Sequence, residues 1–142
     1  MNWREEVVDK LRQYSVMAHA AESIPAELHS LDQEACALQS AQSGRTGVRS
    51  IRSCEDRLMN ILVKKQELEL LLDRTESWLR VINMALGRLD QWDRRILQLL
   101  YIEDISVVKT CDELGLEKST LYRYRDAALK RLTLSMYGVM ES

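Results

Sequence analysis

The sequence predicts an all-α fold, and three observations carry the prediction. Leu, Ala, Glu, Arg, Lys and Gln dominate the 142 residues, so helix propensity is high almost throughout. One proline, Pro25, and five glycines are the strongest interruptions. Apolar residues recur at alternating steps of three and four over most of the chain, which is the period of one helix face.

The first helix is expected from about Trp3 to Glu22. Val7, Leu11, Tyr14, Ala18 and Ala21 form its apolar stripe. Ser23 and Pro25 mark a stop and a restart, because proline suits the first turn of a helix and not its interior. A second helix, about Pro25 to Gln42, carries Leu28, Leu31, Ala35 and Leu38 on one face. The loop Ser43-Gly44-Arg45-Thr46-Gly47 follows and is the clearest break in the chain.

The third helix runs from Val48 to about Arg88. Ile51, Cys54, Leu58, Ile61, Lys65, Leu68, Leu72, Thr75, Leu79, Ile82, Leu86 and Leu89 step by three and four without a slip, as in a heptad seam. Leu62, Leu71, Trp78 and Ala85 widen that seam enough for more than one neighbour. Lys65 and Thr75 interrupt it, and polar residues at such positions can set register. Residues 1–88 are therefore expected to form a helical hairpin or coiled-coil bundle, within one chain or in a homodimer.

Residues 89–142 read as a separate module. Asp90, with Asp93 three residues on, opens a helix whose buried face holds Ile96, Leu97, Leu99, Leu100 and Ile102. Glu103-Asp104 breaks it, and Ser106 caps the next helix. Cys111, Gly115 and Leu121 then follow at steps of four and six. Two helices that cross steeply need a small side chain at closest approach, a glycine in the turn and an aliphatic plug on the second helix. Leu114, Leu116 and Tyr124 are the remaining apolar positions expected of such a helix-turn-helix. Gly138 ends the last helix, and a frayed tail of Val139-Met140-Glu141-Ser142 is expected.

Charge and cysteine usage narrow the function. The net charge is −2, so the whole chain is not a basic coat for nucleic acid. The N-terminal 43 residues are acidic, whereas the last helix is locally basic through Lys118, Arg123, Arg125, Lys130 and Arg131. Cys36, Cys54 and Cys111 are odd in number and widely spaced, which predicts a reduced, cytoplasmic setting. The first residues lack the apolar core of a signal peptide, and no apolar run is long enough to span a membrane. His19, His29 and Cys36 match no zinc spacing. No nucleophile set or phosphate-cradling glycine loop occurs, so neither an enzyme, a cofactor nor a small-molecule substrate is expected.

The run from Ala85 to Ser106, reading ALGRLDQWDRRILQLLYIEDIS, resembles the opening of sigma-70 region 4. Leu114-Gly115-Leu116, Ser119-Thr120-Leu121 and Ala128-Leu129-Lys130-Arg131-Leu132 are similar to later elements of that family, in one register from Ser106 onward. Three positions depart from it: Thr110 stands for an aliphatic residue, Cys111 for alanine, and Glu117 for serine. Short chains of this layout also resemble phage late-gene regulators of the ArpU and RinA type. The resemblance implies a transcriptional regulator that binds double-stranded DNA in a bacterial cell and contacts RNA polymerase.

The candidate DNA-contacting set is Glu117, Lys118, Ser119, Thr120, Tyr122, Arg123, Arg125, Asp126 and Lys130. Lys118, Arg123, Arg125 and Lys130 suit phosphates, and Ser119, Tyr122 and Arg123 suit base edges. Arg94 and Arg95 are expected in solvent. Trp78 and Trp92 are expected to pack the joint between the long helix and the module, and Trp3 to close a hairpin end. The alternative function is a packaging or assembly protein, such as a DNA-binding oligomer of the small-terminase kind.

Overall fold

A computed structural model describes residues 2–42 and 47–138. All of the regular structure there is helical: α1, Trp3–Gln42; α2, Val48–Gly87; α3, Gln91–Leu97, continued by a π-helical turn, Gln98–Ile102; α4, Val107–Leu114; and α5, Lys118–Tyr137. Residues 43–46 of the expected loop, and the tail beyond Gly138, lie outside the described residues.

Pro25 does not break the first helix. One continuous α1 replaces the two helices expected on either side of it. A proline removes one intrahelical donor, at a cost of about 3 kcal/mol in a helix interior. Packing outweighs that local cost. The apolar stripe keeps the same phase through the proline, with Val7, Leu11, Ile24, Leu31 and Leu38 all buried. Ser23 Oγ also donates to the Ala20 carbonyl at 3.3 Å, inside the turn that the proline disturbs.

The chain divides into two compact units, and each long helix contributes to both. One unit, residues 19–76, is the central part of the α1–α2 hairpin. Its core is Leu31, Leu38, Cys54 and Ile61, with Ala35, Leu58 and Leu68 against it. The heptad seam of α2 is the face that packs. Lys65, the polar member of the seam, donates to Asp32 of α1 at 2.7 Å. That hydrogen bond, and then the charge of Asp32, hold the Lys65 ammonium above its ordinary pKa. The pair therefore fixes register and keeps a cation at the seam without burying it. Leu62 and Leu71 do not widen the packed stripe. Both are exposed, because a two-helix hairpin gives α2 a neighbour on one side only.

The other unit joins the start of α1 and the end of α2 to α3, α4 and α5. Val7 and Leu11 from α1, Ile82, Ala85 and Leu86 from α2, Leu89, Leu97, and Ala128, Leu129 and Leu132 from α5 form one core. Trp78 packs against it, as expected. Trp3 stacks on Tyr137 with ring centroids 4.6 Å apart, which pins the start of α1 to the end of α5. Lys10 reinforces the same contact by donating to the Tyr137 hydroxyl at 2.6 Å.

Candidate nucleic-acid interface

Local chemistry sets each helix of the C-terminal module. Asp90 caps α3, its carboxylate accepting from the Asp93 amide at 2.8 Å. The Asp93 carboxylate is itself buried, and Arg131 of α5 donates to it at 2.6 Å, which ties α3 to α5. Leu99 and Leu100 stay buried in the π-helical turn that ends this segment. Asp104 follows with φ of 53°, a left-handed conformation that aspartate tolerates better than most residues. Ser106 then caps α4 by accepting from the Lys109 amide at 3.3 Å.

The helix-turn-helix spacing read from the sequence corresponds to a real bend. Gly115 terminates α4 in the left-handed region, at φ 67°. The Leu116 amide donates back to the Cys111 carbonyl at 3.0 Å, which closes the turn. Ile96, Leu100 and Leu121 form the core beneath, with Val107, Cys111, Leu114 and Leu116 packed on it. Thr110 is buried where an aliphatic residue would serve. Its hydroxyl donates to the Ser106 carbonyl at 2.9 Å, so the substitution leaves no orphaned polar atom. A Cβ on Gly115 would meet no atom within 4 Å, so the glycine is required by its backbone angle and not by space. Gly115→Ala is expected to lower stability by about 1–2 kcal/mol in urea denaturation, and Gly115→Asn by less.

Tyr124 does not fill the motif's core. It is 37% exposed and meets Trp92 edge to face, with centroids 6.3 Å apart. Trp92, at 40% exposure, likewise sits at the surface, and Trp78 but not Trp92 joins the core shared by α2 and α5. The cause is helical phase. Leu121, Ala128, Leu129 and Leu132 already define the buried side of α5, and position 124 falls on its flank.

The same phase sorts the candidate residues. Ser119, Arg123, Asp126 and Lys130 recur at four, three and four, in one stripe facing away from the buried side. Ser119, Arg123 and Lys130 are exposed there, as are Glu117 and Lys118 at the start of the helix. Thr120, Tyr122, Arg125 and Asp126 are half-buried. Glu117 stands at the N-cap position, yet its side chain makes no capping bond. Arg125 lies over the Tyr122 ring, 4.7 Å from its centroid.

Asp126 does not simply point into solvent. Arg125 donates to its Oδ1 at 2.8 Å, and Arg4 of α1 donates to the same oxygen at 2.6 Å. Burial pushes the Asp126 carboxyl up, but the hydrogen bonds and charges of Arg125 and then Arg4 outweigh it and hold the carboxyl below its ordinary pKa. Arg4 is the member that sequence reasoning missed. It stands 122 residues from its partner, and no spacing rule connects them. Arg94 is exposed, and Arg95 pairs with Glu113 of α4 at 3.3 Å.

Among the described residues, no group of three His, Cys, Asp or Glu side chains is placed to hold a metal ion, and no helix is long and apolar enough to cross a membrane. No curated protein and no solved structure matches the chain. A family described as "Protein of unknown function (DUF1492)" matches residues 47–133, which is more than half of the sequence and takes in α2, α3, α4 and most of α5. The chain belongs to that family.

Proposed function

We propose that this protein is a sequence-specific, DNA-binding transcriptional regulator. In this reading α4 and α5 act as a helix-turn-helix resembling sigma-70 region 4, in the manner of phage late-gene regulators of the ArpU and RinA type. One observation carries it. Ser119, Arg123 and Lys130 lie exposed along one stripe of α5, opposite Leu121, Leu129 and Leu132, with Lys118 exposed at the start of the helix. A helix docked in a major groove needs that division, an apolar back held by its own module and a front of cations and hydroxyls. Arg123 suits guanine edges, and Lys118 and Lys130 suit phosphates. The protein's work is then recognition and not catalysis, with RNA polymerase as a second partner.

Binding of a fluorescein-labelled random-sequence duplex, followed by anisotropy across a salt series, tests this. Contacts from Lys118, Arg123, Arg125 and Lys130 would give a plot of log affinity against log salt with a slope of about −3 to −4. Absence of duplex binding at low salt, or binding indifferent to salt, contradicts the proposal.

A further inference from the structure

We propose that the outward side of α2 is a dimer interface, on which a second copy of this chain packs its own α2 antiparallel, about a two-fold axis at the level of Lys65. Asp56, Met59, Val63, Leu70 and Arg74 carry it. All five are exposed, on the side of α2 turned away from the buried Cys54, Ile61 and Thr75. Met59, Val63 and Leu70 are 59%, 46% and 52% exposed, so three large apolar side chains stand in water along one line of the hairpin. Scattered apolar residues are ordinary on a surface, but a row of them on one helix face marks a place of contact. The core of the same unit is small, comprising Leu31, Leu38, Cys54 and Ile61, and a small core gains from association.

The charges at the two ends of the row select the occupant. Arg74 stands eighteen residues after Asp56. That is about five helical turns, so the two side chains leave α2 on one line, ~27 Å apart. A two-fold axis midway between them sets Asp56 of one copy against Arg74 of the other, and does so twice. The same axis brings Met59 of one copy beside Leu70 of the other, with Val63 close to the centre. A parallel pairing would set Asp56 against Asp56 and Arg74 against Arg74, like charge on like. Within one chain these two groups do not hold the hairpin together. Among the described residues, the ion pairs that join α1 to α2 in this unit are Lys64–Glu27 and Lys65–Asp32. The surface does not depend on DNA binding, although a two-fold assembly would carry two copies of the α4–α5 module, as a duplex with two half-sites requires.

Sedimentation equilibrium of the full chain at low salt, from low to high micromolar concentration, tests this without DNA. The wild-type chain should follow a monomer–dimer equilibrium. Leu70→Glu should weaken the dimer roughly a hundredfold or more, because it puts an unpaired charge into both halves of the interface. Asp56→Arg and Arg74→Asp each reverse two facing pairs at once, and each should weaken it roughly tenfold or more. Mixing those two variants in equal amounts should restore wild-type association, because the mixed dimer again faces an arginine with an aspartate at both ends. Far-ultraviolet circular dichroism checks that each variant keeps its helices, and if Leu70→Glu does not, the charge-reversed pair decides alone. A wild-type chain that stays monomeric at high micromolar concentration overturns the proposal, and so does an assembly larger than a dimer. A dimer indifferent to both charge reversals, or one that the mixture fails to restore, overturns it as well.

Discussion

Leu121→Ala is expected to cost about 2–5 kcal/mol, the range for removing a fully enclosed leucine side chain. Leu121 is the one residue of α5 in the small core with Ile96 and Leu100, and that core also receives Cys111, Leu114 and Leu116 from α4 and its turn. Few other contacts hold α4 against α5, so the cavity left by the missing side chain has little around it that can collapse. The loss should appear as a lower urea midpoint. Leu62→Ala, which removes the same atoms from an exposed site on α2, should change stability by no more than about 0.5 kcal/mol. A Leu121→Ala effect as small as that of Leu62→Ala would mean that α4 and α5 are not held together as described. The variant also carries a functional consequence. Ser119 and Arg123 keep their place relative to the module only while Leu121 holds the other side of the helix, so duplex binding should fall together with stability.

The elements most readable in the sequence were those with a long, unbroken period. The α2 seam from Ile51 to Leu89 is buried or half-buried at every position named for it, because a helix of that length repeats one packing environment. The caps at Asp90 and Ser106 and the left-handed glycines at 115 and 138 were equally legible, since each depends only on residues a few positions away. Pro25 misled for the same reason. Its local signal is strong, but the stripe on both sides stays in phase, and burial of Ile24 and Leu31 decides the outcome. Tyr124 looks like a core residue by its aromatic ring alone, but Leu121, Leu129 and Leu132 already fill the inner side of α5 and leave position 124 on the flank.

Long-range pairings were not legible at all. Nothing in residues 3–11 signals that Val7 and Leu11 share a core with Leu129 and Leu132, or that Arg4 meets Asp126. The stripe on α1 shows that these apolar side chains are buried, but not against what. The candidate interface was therefore half visible: its α5 residues follow from helical phase, whereas the ion pair between Arg4 and Asp126 required the fold. The π-helical turn at Gln98–Ile102 also had no local signal, since its composition is that of an ordinary apolar helix.

The second large effect bears on the account's central claim, that the outward stripe of α5 reads duplex DNA. Arg123→Ala is expected to lower affinity for a preferred sequence by about 1–3 kcal/mol and to relax the preference at one base pair, because a guanidinium lost from a base edge is missed at that base alone. Lys130→Ala, about two turns further along the stripe, should weaken binding to all sequences alike and reduce the salt slope by about 1. Selection of bound duplexes from a randomised pool with the wild-type chain and each variant measures both effects at once. The account predicts an enriched motif for the wild type, the same motif for Lys130→Ala, and loss of information at one position for Arg123→Ala. Recovery of no motif by the wild type, or an unchanged motif and affinity for Arg123→Ala, would contradict it.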